Sequence, residues 1–202
     1  MVGQDKDAKH KRAMKKQKEN VDAHVSQATT EKGVLILLTG NGKGKSSSAF
    51  GMVLRALGYD HKVGVVQFIK GEQLSGEEIF LKEKIPSVDL YQMGTGFTWD
   101  TQDRQADIAA AEKTWAVAEK MLKDDRYNLV VLDELTYMFA YKYLDESMIL
   151  NALTNRPKEQ SVVVTGRGGG SKLQEISDTV SEIKEIKHAY HSGIKARLGV
   201  DY

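Results

Sequence analysis

Cysteine is absent from the 202-residue chain, which excludes disulfides, thiolate metal sites, iron–sulfur clusters and thiol nucleophiles. Proline occurs only at Pro86 and Pro157, and no apolar run exceeds five residues. A bilayer-spanning helix needs about 20, so no membrane insertion is expected. The charged N-terminal stretch leads into no apolar segment and does not read as a secretory signal, so a cytoplasmic protein is expected. An excess of charge is also missing: the net is +1. It is unevenly placed, because residues 1–20 carry seven Lys/Arg against three Asp/Glu, which leaves a net of −3 on the remainder. An acidic body and only 7% aromatics speak against a nucleic-acid surface. Residues 1–13 read as a solvated, frayed arm.

What is present alternates. Val21, Val25 and Ala28 recur at helical spacing and predict a short amphipathic helix that ends the basic arm, 1–32. From Gly33 to Tyr202 the pattern is that of one domain. Val34–Leu38 lacks polar alternation and reads as a strand buried on both faces. Further strands are expected over 62–69, 88–93, 127–132 and 161–165, with a last strand-like segment over 180–186. Helices are expected over 46–57, 77–82, 108–122, 135–143, 146–154 and 173–177. This order predicts a single three-layer α/β domain with a mainly parallel sheet. In such sheets ligands bind beyond the carboxyl ends of the strands. The loops at 39–46, 70–76, 94–100, 133–136 and 166–170 are therefore expected to share one edge.

The strongest chemical signal is Thr39-Gly40-Asn41-Gly42-Lys43-Gly44-Lys45-Ser46, set between a buried strand and a helix. Glycines let backbone N–H groups close on phosphate oxygens, Lys45 would neutralise the β/γ-phosphates, and the Ser46 hydroxyl would hold Mg²⁺. The usual spacing wants glycine where Thr39 stands, so this is an atypical phosphate loop of a P-loop NTPase-like (RecA-like) domain. A dinucleotide fingerprint fails, because the third glycine it needs would be Lys45. Leu129–Glu134 (LVVLDE) has the form of the second NTPase element. Asp133 and Glu134 become candidate metal ligands, although an acid at a strand end also serves as a helix cap.

Gly94–Asp100 places Phe97 and Trp99 on a glycine-flanked loop; such rings either pin a loop to the core or face a flat apolar ligand. Arg167, in a run of glycines, is a candidate for phosphate or carboxylate. His188 and His191 lack a third metal ligand nearby, so no metal site is expected there.

With these segments in hand, TGNGKGKSSSAFG, VGVVQFIKG, GTGFTWDTQDR, VVLDELTYM, VVVTGRG and KHAYHSGIKARLGVDY, in this order, resemble the P-loop ATP:corrinoid adenosyltransferases from about Val21 to Tyr202. The resemblance implies transfer of the 5′-deoxyadenosyl group of ATP to Co(I) of a corrinoid, with release of triphosphate. It implies ATP contacts at Gly40, Asn41, Gly42, Lys43, Gly44, Lys45 and Ser46, with Ser46 and Glu134 near Mg²⁺ (Mn²⁺ as a substitute). It makes Phe97 and Trp99 the residues that displace the corrinoid's lower axial ligand. A homodimer is implied, and an electron-donating flavoprotein partner is needed, because the chain has no flavin motif or cysteine of its own. Ser46 in place of Thr, Gly169-Gly170 and His191 depart from the family pattern. Two other readings stay open on the residues alone: a P-loop ATPase or kinase cleaving between phosphates, and a RecA-like nucleic-acid module.

Overall fold

The computed structural model describes residues 2–69, 74–94 and 103–202. The chain divides into two units, Met1–Glu31 and Lys32–Tyr202. The first is one 26-residue helix, α1 (Val2–Gln27), longer than the patterning predicted. The stretch from Gln4 to Gln27 contains no proline or glycine and is rich in Lys, Ala and Gln, which favour helix without needing a packed face. A Lys15–Glu19 pair at 3.8 Å adds the (i, i+4) support expected of such a helix.

The second unit runs β1 (Leu35–Thr39), α2 (Lys45–Leu57), β2 (Val63–Gln67), α3 (Gly76–Lys84), β3 (Asp89–Gln92), α4 (Arg104–Lys123), β4 (Leu129–Asp133), α5 (Thr136–Ala140), α6 (Glu146–Thr154), β5 (Ser161–Thr165), α7 (Gly170–Ile176) and β6 (Thr179–Glu182), then a 3₁₀ turn (Ala189–Ser192). The strands form one sheet in the order β3-β2-β4-β5-β1-β6. Every neighbouring pair is parallel, so the sheet is wholly and not just mainly parallel among the described residues.

Period-two alternation sends valines and leucines to both faces. Leu37, Val66, Val130, Leu132 and Val164 pack with Trp115, Ala118 and Leu122 of α4 and Ile149 and Leu153 of α6. Leu38, Val65, Val131 and Val163 pack with Ala49, Phe50 and Val53 of α2 and Leu81 of α3. Each buried valine or leucine of these strands contributes about 1.5–3 kcal/mol, which is why the continuous apolar runs had to be central strands. The edge strand β6 is exposed throughout and stops four residues before the expected Ile186.

Helix boundaries moved where caps decide them. α4 begins at Arg104 because Asp103 accepts hydrogen bonds from the N–H groups of Gln105 (3.1 Å) and Ala106 (3.0 Å). α3 begins at Gly76 behind a Ser75/Glu78 capping box. α5 closes at Tyr141, and the next residue, Lys142, is left-handed (φ 53°), so the expected helix over 135–143 is shorter. Among the described residues no helix is long and apolar enough to cross a membrane.

Because all strands run one way, Thr39, Asp133, Thr165 and Glu182 emerge at the same edge of the sheet. The loops that follow them are therefore neighbours in space, though far apart in sequence.

Candidate active site

The loop from Gly40 to Gly44 is laced to the segment after β6. Ile183 N–H donates to the Thr39 carbonyl and Gly42 N–H to the Ile183 carbonyl, both at 2.8 Å. The approach is so close that a Cβ on Gly40, which sits at φ 98°, would lie 2.3 Å from the Ile183 oxygen; only glycine fits. Thr39, where the usual loop has glycine, uses its hydroxyl to donate to the Gly168 carbonyl (2.7 Å) and ties the loop to the turn after β5. Gly44 turns left-handed (φ 114°) into α2. The free N–H groups and partial positive charge of this 13-residue helix then face the loop, an arrangement that favours anions.

Lys45 is buried, 7% exposed, and its ammonium donates to the Gly42 carbonyl at 2.8 Å. Burial pulls its pKa down; Glu134 and, more weakly, Asp133 oppose the fall, and Arg167 assists it. Its ammonium is thus partly desolvated beside the cleft, where a charge interacts more strongly than in open water.

Asp133 is buried, and both carboxylate oxygens are taken. The Thr165 hydroxyl donates to Oδ1 (2.6 Å), and the Gln67 amide donates to Oδ2 (3.1 Å) while accepting from the Gln92 amide (2.9 Å). Thr165 Oγ1 also accepts the Glu134 N–H at 2.9 Å. Glu134 is left-handed at φ 58°, a conformation costing roughly 1–2 kcal/mol in a non-glycine residue. That turn takes its side chain off the strand axis, and its Oε2 is buried without a hydrogen-bond partner. Burial first, and Asp133 second, push its carboxyl from the ordinary 4.5 up to about 7, against the pull of Lys45 and Arg167.

That shift has a stability consequence. Between pH 4.5 and 7 the folded chain keeps a proton that the unfolded chain has released, so stability falls as pH rises through that window. Glu134→Gln should therefore stabilise the chain at pH 8, by at most about 3 kcal/mol, and leave it unchanged near pH 4. Urea melts at both pH values measure this; parallel pH profiles for the two proteins would remove the buried-carboxylate account.

Asn41, Lys43, Lys45 and Ser46 line one cleft of about 540 Å³ together with Glu134 and Arg167. Arg167 reaches it because Gly166 (φ 138°) lies so tightly against Thr136 that a Cβ would be 2.0 Å from its hydroxyl, and Thr136 holds the Arg167 carbonyl at 2.8 Å. The Thr165 hydroxyl bridges the Asp133 carboxylate to the Glu134 N–H, and Asp133 does not line the cleft. Gly42 and Gly44 line it, and Gly40 anchors the loop from below. Phe97 and Trp99 lie outside the described residues.

Motif reading missed the other side of the cleft. Glu185, His188 and the turn Gly199–Tyr202 line it, and the Lys43 ammonium pairs with Asp201 at 2.5 Å, 158 residues away. Thr165 and Gln67 were missed as well. No spacing rule links residues so far apart; the only signal was the polar ends of two buried strands. His188 Nδ1 accepts the Tyr190 N–H (3.1 Å) and His191 pairs with Glu185 (2.8 Å). Among the described residues no group of three His, Asp or Glu is placed to hold a metal by itself.

Comparison with known proteins finds one family along most of the chain. The sequence model of the family described as ATP:corrinoid adenosyltransferase BtuR/CobO/CobP matches residues 31–202. The corrinoid adenosyltransferase of Pseudomonas aeruginosa is 51% identical over 198 residues, 98% of each chain. That of Escherichia coli K12 is 48% identical over 196 residues, 97% of this chain and 99% of its own. Corrinoid adenosyltransferase CobA of Salmonella typhimurium is 47% identical with the same coverage.

Proposed function

The chain belongs to the ATP:corrinoid adenosyltransferase family, and from that premise we propose that its cleft grips ATP by the triphosphate and presents C5′ to a reduced corrinoid. It is an enzyme of ATP-dependent corrinoid adenosylation in cobalamin biosynthesis or salvage. The observation that carries the mechanistic reading is the convergence of Lys45, Arg167 and the α2 N-terminus on one cleft. That is equipment for a highly charged anion.

The reaction needs little else from side chains. Co(I), which is part of the substrate, is itself the nucleophile. Its electron pair forms the Co–C5′ bond, the C5′–O bond breaks, and that electron pair leaves on triphosphate while cobalt becomes formally Co(III). The protein's tasks are to align C5′ for in-line attack and to stabilise charge gathering on the leaving oxygen. Lys45 and the loop amides perform the second task, and Arg167 meets the outer phosphates.

The donor set also suits Mg²⁺. The partnerless buried Glu134 Oε2 and the Ser46 hydroxyl in the same cleft are hard oxygen ligands. Glu134 and Ser46 would hold the ion, with Asp133 fixing the position of Glu134 through Thr165. When bound, Mg²⁺ neutralises phosphate charge; Mn²⁺ has the same preference for oxygen. The same reading includes a cytoplasmic setting, a homodimer, and a flavoprotein that delivers the electron producing Co(I), since the chain has no cysteine or flavin motif to do so.

The product decides between this chemistry and phosphate-cleaving alternatives. With ATP, Mg²⁺ and chemically reduced cobalamin, one triphosphate should appear per adenosylated corrinoid, because attack is at carbon. Diphosphate with phosphate, formed one-for-one with adenosylation, would contradict the proposal.

A further inference from the structure

Four adjacent strands of the sheet, β3-β2-β4-β5, end in polar side chains that meet. Pairing sets Gln92 of β3 beside Gln67 of β2, and Gln67 beside Asp133 of β4. Thr165 of β5 continues the row, one step past the paired residues Leu132 and Val164. Gln67, Asp133 and Thr165 are all buried. A buried amide is costly unless its hydrogen bonds are made, and neither glutamine lines the cleft.

The hydrogen bonds of this row run in one direction. The Lys82 ammonium of α3 donates to Gln92 Oε1. Gln92 Nε2 donates to Gln67 Oε1 at 2.9 Å, and Gln67 Nε2 donates to Asp133 Oδ2 at 3.1 Å. The ends dictate that direction. An ammonium only donates and a carboxylate only accepts, so each amide turns its oxygen toward α3 and its nitrogen toward β4. From the other side the Thr165 hydroxyl donates to Asp133 Oδ1 at 2.6 Å and accepts the Glu134 N–H at 2.9 Å. Asp133 is therefore gripped from both neighbouring strands, and its grip on Thr165 reaches the left-handed backbone of Glu134.

We propose that Gln67 is a positioning residue for the metal-binding acid: aligned by Gln92 and Lys82, it holds the Asp133 carboxylate against Thr165 and so fixes Glu134 where it lines the cleft. The proposal rests on the reading that Glu134 and Ser46 hold Mg²⁺. It gives β2 and β3, which send no residue into the lining of that cleft, a part in metal binding. It also makes the direction of two amides, and not their bulk, the property that matters.

The test is calorimetry of ATP binding to the full chain, once with Mg²⁺ and once with EDTA. The ratio of the two dissociation constants is the metal-dependent gain. Gln67→Met keeps the side-chain length and loses the donor. It should lower the gain about tenfold, the low end of the range for losing an outer partner of a metal ligand, and leave the EDTA value within about twofold. Gln92→Met, which leaves the Gln67 amide free to donate, should lose less of the gain than Gln92→Glu. The glutamate keeps the Lys82 pair but presents an acceptor to Gln67, so that oxygen must face oxygen somewhere in the row. Packing alone ranks these two variants the other way, because glutamate is isosteric with glutamine, and an added negative charge by itself would raise the gain. Equal losses with and without Mg²⁺ in Gln67→Met, an unchanged gain, or the reverse order of the Gln92 variants would overturn the proposal. Gln92 is half-buried on the edge strand β3, so its two variants decide the matter if Gln67→Met does not fold. No gain from Mg²⁺ in the unaltered chain would instead overturn the metal reading beneath the proposal.

Discussion

Lys45→Ala is expected to lower kcat/KM by two to three orders of magnitude, about 3–4 kcal/mol, the scale for losing one charged contact to a leaving group in a dry site. Two observations set this size. Lys45 as a residue is 7% exposed, so its interaction with a phosphate is weakly screened. It is also held at 2.8 Å by the Gly42 carbonyl, so little ordering is left to do when ATP arrives. Most of the loss should appear in kcat, because charge on the bridging oxygen grows as the C5′–O bond breaks. The alanine protein should remain folded, since the hydrogen bond lost lies within the loop and the removal relieves a desolvated charge. Thermal melts check that point, and turnover with chemically prepared Co(I) measures the rest. Near-normal turnover in a folded Lys45→Ala protein would remove the catalytic role of the lysine.

The second large effect is expected at Phe97 and Trp99, whose role comes from the family resemblance. A lower axial ligand on Co(II) raises the energy of the orbital that must accept the electron, so the ligated form is hard to reduce. Large, stiff side chains without a donor atom aimed at the metal exclude that ligand and bring Co(I) within reach of a biological reductant. Replacing either ring by alanine should cut turnover from Co(II) with a flavoprotein donor by at least about tenfold, or roughly 1.4 kcal/mol. Turnover from chemically prepared Co(I) should fall much less, and ATP affinity should hold. The electron paramagnetic resonance spectrum of bound Co(II) reports the axial ligand directly. Equal losses in the two assays, with an unchanged spectrum, would reduce both rings to loop-packing residues.

These two expectations draw on different kinds of information. Lys45 was legible in the chain because glycines, lysine and a hydroxyl in eight consecutive residues form a local unit, and a buried strand before it with a helix after it can be read from apolar periodicity. Glu134 was legible in the same way, as the acid ending an apolar strand. Its character was not. The rise of its carboxyl to about 7 comes from burial first and the neighbouring Asp133 charge second, and the strand end alone does not show that Asp133 spends its oxygens on Thr165 and Gln67. The two acids differ in their partners: Glu134 Oε2 is buried without a hydrogen-bond partner, whereas both oxygens of Asp133 accept hydrogen bonds.

The sequence by itself determined the class of the fold, the positions of the central strands and the phosphate loop. Each of these depends on interactions within a few residues: alternation of apolar side chains, glycine at tight turns, a cap before a helix. The length of α1 was misjudged because its helix rests on intrinsic propensity instead of an apolar face, and periodicity is blind to propensity. Only the tertiary structure decided which distant segments share the cleft. Parallel strands carry Thr39, Asp133, Thr165 and Glu182 to one edge, and a turn at 197–202 closes back on Lys43 through a single ion pair. Contacts of that kind join residues more than a hundred positions apart. They follow from strand order and chain path, which local pattern does not encode.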